Sequence, residues 1–268
     1  MEPEVYTQVK YSIHKILGIN LEHYKDEQMR RRLDSWLART GAPNWADYFK
    51  RLRTDTNELS RFRDYLTINV SAFFRDIDRW QVLREKIAPE VLTTSLAAHP
   101  GQRGLRVWSA GCSIGAEPYT LAILLEETTH YRHHTILATD LDRSALSKAR
   151  RGGPYTAEEI QGLTVVQRNT YLEPDGPPFF IRPELAKKIE FREHNLLSDP
   201  FPTGLDLIVC RNVVIYFTAE AKAMLYRKFQ QALRPGGVLF VGATEIIPHP
   251  LEIGLQNYQV SFYKKTNT

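Results

Sequence analysis

The chain has 268 residues with a formal net charge of +4, and hydrophobic residues make up 43% and charged residues 25% of it. These proportions are ordinary for a globular protein and exclude collagen-like, low-complexity and disordered chains. The two cysteines, Cys112 and Cys210, are too few for a disulfide framework or a multi-cysteine zinc site.

The length predicts about two domains at ~150 residues each. No apolar run approaches the ~20 residues that a membrane-spanning helix requires. Glu2 and Glu4 stand where a signal peptide carries basic residues. We therefore expect a cytoplasmic protein.

The N-terminal part of the chain predicts an all-α domain. Apolar residues recur at helical spacing up to Gly18 and again up to Gly41, two glycines suited to end helices. Two further segments with an apolar face follow, at 45–52 and 59–66, and no strand-like alternation interrupts them. We predict a helical domain over residues 1–75, followed by a helix and linker over 76–103.

From about residue 104 onward, short apolar runs alternate with amphipathic helices. Strands are predicted at 105–108, 135–138, 205–210 and 238–241, and helices at 117–128, 142–150 and 218–233. This alternation predicts a doubly wound α/β domain with a mostly parallel sheet over residues 104–268. Prolines and glycines break the rhythm near 153–193, where we predict a small antiparallel β-subdomain.

The α/β half predicts a ligand site beyond the carboxyl ends of its strands. The first strand leads into a loop with Gly111 and Gly115, and Asp140 ends the second, where an acid can accept hydrogen bonds from ribose hydroxyls. Glu117 stands where a diphosphate would meet a helix N-terminus. Because a carboxylate repels a diphosphate but suits an ammonium group, the loop favours an adenosyl amino acid over NAD.

Two alternatives stay open for these residues. The loop is also compatible with an ordinary strand-to-helix turn without a ligand. Asp140 is also compatible with a cap of the helix that begins near Asp142.

Several motifs resemble, in the same order, those of the chemotaxis receptor methyltransferases, the CheR family. They are residues 69–75 (Asn-Val-Ser-Ala-Phe-Phe-Arg), 108–119 (Trp-Ser-Ala-Gly-Cys-Ser-Ile-Gly-Ala-Glu-Pro-Tyr), 138–142 (Ala-Thr-Asp-Leu-Asp), 210–217 (Cys-Arg-Asn-Val-Val-Ile-Tyr-Phe) and 233–240 (Leu-Arg-Pro-Gly-Gly-Val-Leu-Phe), with Thr244-Glu245. The resemblance implies an all-α N-terminal domain and a Rossmann-like S-adenosylmethionine methyltransferase domain of the α/β class, with a small antiparallel β-subdomain inserted in it.

The activity that the resemblance implies is a protein-glutamate O-methyltransferase. It transfers a methyl group from S-adenosyl-L-methionine to glutamate side chains of bacterial chemoreceptors, with S-adenosyl-L-homocysteine as the product. A glutamate carboxylate, with a reference pKa of about 4.3, is already ionised at pH 7. The reaction therefore demands alignment and charge management rather than a general base. The implied protein is a monomer whose partners are the methylation helices of chemoreceptors; nucleic acid, a membrane and a metal ion are not expected.

The resemblance also implies roles for individual residues, with Arg75 and Tyr216 nearest to the chemistry. The cofactor-binding residues that it implies are Asn69, Ser71, Arg75, Gly111, Glu117, Asp140, Asn195, Leu196, Arg211 and Asn212. Alternatively, Tyr216 packs in a core, and Arg75 forms a surface ion pair with Asp76, which would contribute little.

Within that set, three moieties of the cofactor are assigned by the resemblance. Asp140 binds the ribose hydroxyls, Glu117 binds the amino group, and Asn195 and Leu196 lie against the adenine.

The second helix carries a basic stripe, because Lys25, Arg32 and Arg39 are seven residues apart. The resemblance implies that this helix contacts the acidic methylation helices of the receptor. Arg32 matches a family arginine, whereas a second matching position holds Ala38, next to Arg39. An ordinary solvated helix face is the alternative.

The loop at 172–178 (Leu-Glu-Pro-Asp-Gly-Pro-Pro) is shorter and richer in proline than the loop with which some family members bind a C-terminal pentapeptide of the receptor. We therefore predict pentapeptide independence. Two other functions stay open. One is methylation of a different protein, nucleic-acid or small-molecule substrate, although residues 211–214 lack the Asn/Asp-Pro-Pro-Tyr/Phe loop of amino-methylating enzymes. The other is a cofactor-binding module without turnover, which the intact motifs disfavour.

Overall fold

The computed structural model describes residues 1–67, 71–129 and 132–266 of the chain. The chain divides into two compact units, one made of Met1–Ile68 and Ile215–Ala223 and the other of Asn69–Val214 and Met224–Thr268. Among the described residues, no helix is both long and apolar enough to cross a membrane.

The first unit is helical, as the sequence predicts. Its α-helices are α1 (Pro3–Leu17), α2 (Asp26–Thr40), α3 (Trp45–Thr54) and α4 (Thr56–Leu66). Gly18 and Gly41 end α1 and α2 with φ angles of 72° and 69°, the left-handed cap that favours glycine. Tyr48 and Phe62 are fully buried in the core, with ring centroids 5.4 Å apart.

The second unit begins with a continuous helical stretch, where the sequence predicts a helix and a linker. It consists of α5 (Ile77–Val82), a π-helical segment (Leu83–Ile87) and α6 (Ala88–Ala98). Within the described residues, the remaining α-helices are α7 (Ala116–Thr128), α8 (Arg143–Arg150), α9 (Val165–Tyr171), α10 (Pro183–Ala186) and α11 (Ala219–Ala232). The strands are β1 (Arg106–Ala110), β2 (Thr135–Asp140), β3 (Ile189–Glu193), β4 (Leu205–Cys210), β5 (Leu233–Val241), β6 (Leu255–Gln259) and β7 (Phe262–Lys265).

The seven strands form one sheet in the order β3-β2-β1-β4-β5-β7-β6. Strands β1 to β5 are parallel to one another, and β7 runs antiparallel between β5 and β6. All six residues of β4 are buried, as expected for a parallel strand covered on both faces. The predicted α/β architecture with a mostly parallel sheet is confirmed, and the carboxyl ends of β1 to β5 share one edge of the sheet.

The segment predicted as an antiparallel β-subdomain, 153–193, contains less β-structure than expected. It contains two isolated antiparallel bridges, Tyr155–Phe179 and Leu172–Ile181, and the helices α9 and α10, joined by turns and loops. Its last residues form β3, which belongs to the main sheet. Proline lacks the N–H that a strand ladder needs, and prolines stand at positions 154, 174, 177 and 178.

Strand β5 also begins earlier than the predicted position, 238, because the turn before it is incorporated as a bulge. Leu205 of β4 pairs with Leu233, and Leu207 already pairs with Val238. Between these pairs the side chain of Asp206 meets that of Arg234.

Asp206 is the buried polar centre at this end of the sheet, with 1% of its surface exposed. Its Oδ1 accepts a hydrogen bond from Nε of Arg234 at 2.5 Å, and its Oδ2 accepts from the Arg106 N–H at 2.7 Å and from Nε2 of Gln102 at 2.9 Å. Nη2 of Arg234 donates to the Val91 carbonyl of α6 at 3.1 Å. The ion pair therefore joins β1, β4, β5 and α6.

We expect Asp206→Asn to lower the free energy of unfolding by about 3–5 kcal/mol, because it leaves the buried Arg234 guanidinium without its counter-charge. Urea unfolding measures the change. Glu190→Gln is the control, because it removes the charge of Glu190 from an exposed ion pair with Arg192. It should change the free energy of unfolding by less than about 1 kcal/mol. Equal effects of the two substitutions would contradict a structural role for the Asp206 pair.

Candidate functional site

The carboxyl edge of the sheet brings most of the predicted cofactor residues together. Gly111 follows β1, Asp140 ends β2, Asn195 and Leu196 follow β3, and Arg211 and Asn212 follow β4. Because β3, β2, β1 and β4 are successive neighbours in the sheet, these residues line one continuous edge.

The loop between β1 and α7 is built around its two glycines. The N–H groups of Gly111 and Cys112 donate to the Thr139 carbonyl at 2.8 Å and 2.9 Å. Gly111 has φ of 87°, and a Cβ there would lie 2.4 Å from Cγ2 of Val213. Gly115 has φ of 93°. Only glycine satisfies both the backbone conformation and the close approach at Gly111.

Asp140 is held by the backbone on both carboxylate oxygens. Its Oδ2 accepts from the Ser113 N–H at 2.7 Å, and its Oδ1 accepts from the Asp142 N–H at 2.9 Å. Asp142 itself caps α8, accepting from the N–H groups of Ser144 and Ala145, so the alternative in which Asp140 caps this helix is wrong. A carboxylate has about four lone-pair sites, so Asp140 retains acceptor capacity for a ligand. Burial raises its pKa.

The loop after β3 is fixed by a turn and by one lysine. Oδ1 of Asn195 accepts from the Leu197 N–H at 3.0 Å, and the Asn195 N–H donates to Oδ2 of Asp199 at 2.9 Å. Nζ of Lys228, on α11, donates to the carbonyls of Leu196 and Asp199, each at 3.1 Å. The Leu196 side chain is buried. The sequence prediction includes Asn195 and Leu196 but misses Lys228, which lies far along the chain.

Glu117 carries a largely buried carboxylate at the start of α7, with 11% of its side chain exposed. Its Oε1 accepts from the Ser109 hydroxyl at 2.8 Å, and its Oε2 lies 3.9 Å from Nη1 of Arg211. Burial raises the pKa of Glu117 to about 7, while Arg211 and Ser109 oppose the rise. The protonation of this carboxyl group therefore changes close to neutral pH.

Arg211 is buried more deeply than a residue that only lines a ligand site, with 2% of its side chain exposed. Its Nη2 donates to the Arg75 carbonyl at 2.8 Å and to Oδ2 of Asp76 at 2.6 Å. The guanidinium carbon lies 5.3 Å and 4.8 Å from the ring centroids of Trp80 and Phe240. Asp76, which the sequence offers as a surface partner of Arg75, is thus the partner of the buried Arg211, while 38% of its own side chain stays exposed. Desolvation lowers the pKa of Arg211.

The segment around Arg75 has an unusual backbone. Phe74 and Asp76 have φ of 51° and 60°, a region that residues other than glycine rarely adopt. The Phe74 N–H donates to Oγ1 of Thr120 at 3.0 Å, and Nε1–H of Trp80 donates to the Arg75 carbonyl at 3.0 Å. The Arg75 side chain is exposed. The backbone is therefore fixed, and the charge of Arg75 lies close enough to Glu117 and Arg211 to lower the pKa of both.

Two more residues at this edge adopt positive φ, Ser113 at 47° and Asn212 at 59°. Oε2 of the buried Glu245 accepts from the N–H groups of Asn212 and Gly242, at 3.1 Å and 2.6 Å. Strained conformations of this kind are concentrated at ligand and active sites. The motif Thr244-Glu245 is the one sequence signal that points to this contact.

Other predicted residues are not brought to this edge by the contacts described. Tyr216 is half-buried in the first unit, where its carbonyl accepts from the Lys25 N–H at 3.0 Å. Its pairing with Arg75 stays a prediction. Ser71 is half-buried ahead of the Arg75 segment, and Asn69 lies outside the described residues.

Two arginines of the predicted basic stripe of α2 pack against the ring of Tyr65. The guanidinium carbons of Arg32 and Arg39 lie 4.8 Å and 5.8 Å from the centroid of its ring, and the Trp36 ring lies 4.5 Å away. The Tyr65 hydroxyl donates to the Arg32 carbonyl at 3.0 Å. Lys25 is exposed at the start of the same helix.

Comparisons with known proteins cover nearly the whole chain. The model of the CheR methyltransferase SAM-binding domain matches residues 69–261, and that of the CheR methyltransferase all-alpha domain matches residues 4–67. The chain is 44% identical to a chemotaxis protein methyltransferase of Listeria innocua over 255 residues, which are 95% of this chain and 94% of that protein. It is 43% identical to the one of Listeria monocytogenes over the same shares, and 32% identical to the one of Escherichia coli over 91% of this chain and 85% of that protein.

The raised pKa of Glu117 predicts a stability that depends on pH. Since the folded state holds this proton more tightly than the unfolded state, whose value is 4.5, the contribution is complete below pH 4.5 and is lost as pH rises through about 7. Glu117→Gln cannot ionise at this position. In urea unfolding of the ligand-free protein, the loss of free energy of unfolding between pH 4.5 and about 7 should therefore be smaller in this variant than in the unsubstituted protein, by about 3 kcal/mol.

Glu126→Gln is the matched control, because Glu126 lies on the same helix in an exposed pair with Lys188. It should follow the pH profile of the unsubstituted protein. A Glu117→Gln profile that coincides with that of the control would contradict the raised pKa.

Proposed function

The chain belongs to the CheR methyltransferase family, and from this premise we propose that it transfers methyl groups from S-adenosyl-L-methionine to glutamate side chains of bacterial chemoreceptors. The observation that carries the proposal is the match to both family domains, over residues 4–67 and 69–261. The products would be glutamyl methyl esters of the kind used in sensory adaptation, and S-adenosyl-L-homocysteine.

The residues at the carboxyl edge of the sheet fit this cofactor. Glu117 is buried with its cationic partner Arg211 3.9 Å away, so the carboxylate is suited to a ligand ammonium group. Asp140 is held by the N–H groups of Asp142, Ser113 and Leu141, and the acceptor capacity that remains suits a ribose hydroxyl. Leu196 offers an apolar surface beside Asn195, which suits the adenine. S-adenosylmethionine supplies an electrophilic methyl group on a positively charged sulfur.

The reaction asks the chain to align a carboxylate rather than to remove a proton. A glutamate oxygen forms a bond to the methyl carbon as the carbon–sulfur bond breaks, and the two opposite charges disappear together. Arg75 suits this task, because its backbone is fixed by Trp80 and Arg211 while its guanidinium is exposed. We propose that Arg75 and Tyr216 hold the substrate carboxylate. Few donors are desirable, since strong solvation would weaken the nucleophile.

The basic stripe of α2 supports docking of an acidic helix. Stacking on Tyr65 restricts the guanidinium groups of Arg32 and Arg39, so less side-chain entropy is lost on binding. Lys25 extends the stripe by seven residues toward the start of the helix. The basic residues of this stripe would then face an acidic protein helix, and this local arrangement matters more than the net charge of +4.

A transfer assay tests the proposal. With methyl-labelled cofactor and cytoplasmic receptor fragments, we expect label that is released as methanol in alkali, as from a carboxyl ester. Arg75→Ala should lower kcat by at least ~100-fold through lost alignment. Arg32→Ala should raise the KM for the receptor by ~10-fold, leaving the affinity for S-adenosylhomocysteine unchanged.

Arg53→Ala removes an exposed arginine of α3 outside the stripe and is the control for Arg32→Ala. Alkali-stable label would point to a nitrogen acceptor and defeat the glutamate proposal. If Arg32→Ala weakens cofactor binding as much as Arg75→Ala does, the division of roles is wrong.

We also propose that docking is independent of a receptor C-terminal pentapeptide. Residues 172–178 carry one isolated bridge, Leu172–Ile181, and not an extended strand edge to which a peptide could add. Calorimetry with a Trp-Glu-x-x-Phe peptide should therefore detect no binding at micromolar concentrations. A micromolar dissociation constant would overturn this part of the proposal.

A further inference from the structure

Residues 155–162, at the start of the insertion, contact both sides of the candidate site; we call them the brace. At one end, the Tyr155 hydroxyl donates to the Ile114 carbonyl at 2.8 Å, in the loop between β1 and α7. The fully buried Tyr155 ring also packs edge-on against Phe73, with centroids 5.0 Å apart. One side chain thus touches the cofactor loop and the segment that leads to Arg75.

The other end of the brace lies against the same segment. The Phe73 N–H donates to the Glu159 carbonyl at 2.8 Å. At Gly162, a Cβ would lie 2.1 Å from the Phe73 carbonyl oxygen and 3.2 Å from Cβ of Phe74. No side chain fits in this space, so the approach of the two backbones requires glycine.

The brace is itself anchored. Oε2 of Glu159 accepts from the Thr156 N–H at 2.9 Å, and Nζ of Lys148, on α8, donates to both Glu159 oxygens at 2.8 Å and 3.0 Å. Ile160 and Leu163 are buried in the core. Through these contacts the brace connects the Arg75 segment to α8 and to the core.

We propose that the brace sets the position of Arg75 relative to the cofactor loop, and that Tyr155 and Gly162 are positioning residues for methyl transfer. The inference rests on the proposed function, since it assigns Arg75 to the substrate carboxylate. Under this proposal the insertion positions residues of the site, and this role does not depend on binding a receptor peptide. Misplacement by about 1 Å can cost ~100-fold in rate, so a glycine contact can matter as much as a side chain that touches substrate.

The first test compares Gly162→Ala with Gly101→Ala. Neither glycine has positive φ, and a Cβ at Gly101 meets nothing within 4 Å, so the two substitutions differ in the collision with Phe73. We expect Gly162→Ala to lower kcat by about 10- to 100-fold, with KM for the receptor and affinity for S-adenosylhomocysteine within about threefold. Gly101→Ala should keep the parent kcat.

Hydrogen exchange provides a readout that does not depend on turnover. The N–H groups of Phe73 and Phe74 donate to the Glu159 carbonyl and to the Thr120 hydroxyl, so a peptide that contains both amides, such as 71–80, should exchange faster in Gly162→Ala than in Gly101→Ala. Equal exchange and equal kcat in the two variants would overturn the inference.

Tyr155→Phe tests the other end and is decisive if Gly162→Ala does not fold. It keeps the ring on Phe73 and leaves the buried Ile114 carbonyl without its donor, so affinity for S-adenosylhomocysteine should fall about tenfold. Tyr48→Phe is the matched control, because Tyr48 of α3 is equally buried and its hydroxyl donates to Oε1 of Glu58 at 3.1 Å, away from the loop between β1 and α7. If both variants lose the same affinity, the inference is wrong.

A chain that transfers no methyl to any receptor would overturn the proposed function alone. In that case the exchange of residues 71–80 and the calorimetric affinities still decide whether the brace acts on the site.

Discussion

The candidate site depends on one buried cation, the guanidinium of Arg211. It lies beside the rings of Trp80 and Phe240, which also contact each other, and it binds the Arg75 carbonyl and the Asp76 carboxylate. A cation is tolerated at such depth where its charge is compensated, and the Asp76 carboxylate supplies that compensation here. Since Arg211 follows the central strand β4, this side chain ties the Arg75 segment to the middle of the sheet. Its loss would release that segment.

The same guanidinium also favours the ionised form of Glu117. The distance of 3.9 Å is too long for a hydrogen bond, so the attraction offsets only part of the burial that raises the pKa of Glu117 to about 7. A closer pair would satisfy the carboxylate within the protein, whereas a more distant one would leave it protonated. At the observed distance the carboxylate still gains from a second cation. This intermediate state is the physical basis for proposing that Glu117 receives an ammonium group.

Local periodicity and turn residues predict the helices, the parallel sheet and the strand end that carries Asp140, because each follows from residues close in sequence. The insertion is less predictable, since β-propensity at 153–193 is countered by prolines that cannot donate to a ladder. The positive φ of Phe74 has no sequence signal, because an aromatic side chain does not favour it. Asp is among the residue types that adopt positive φ more often, but nothing in the local sequence singles out Asp76. Such conformations arise from contacts with residues far along the chain, Thr120 and Arg211 among them.

The insertion helps to hold the strained backbone at Phe74 and Asp76 in place. Left-handed conformations of residues other than glycine cost about 1–3 kcal/mol each, and they persist only where the surroundings impose them. Around Arg75 the supports come from separate parts of the chain: Thr120 on α7, Trp80 on α5, Arg211 after β4 and the brace within the insertion. A segment held from several directions has little freedom to move. The proposed reaction needs alignment and no proton transfer, so this stiffness would favour it by holding the Arg75 backbone in place before a substrate arrives.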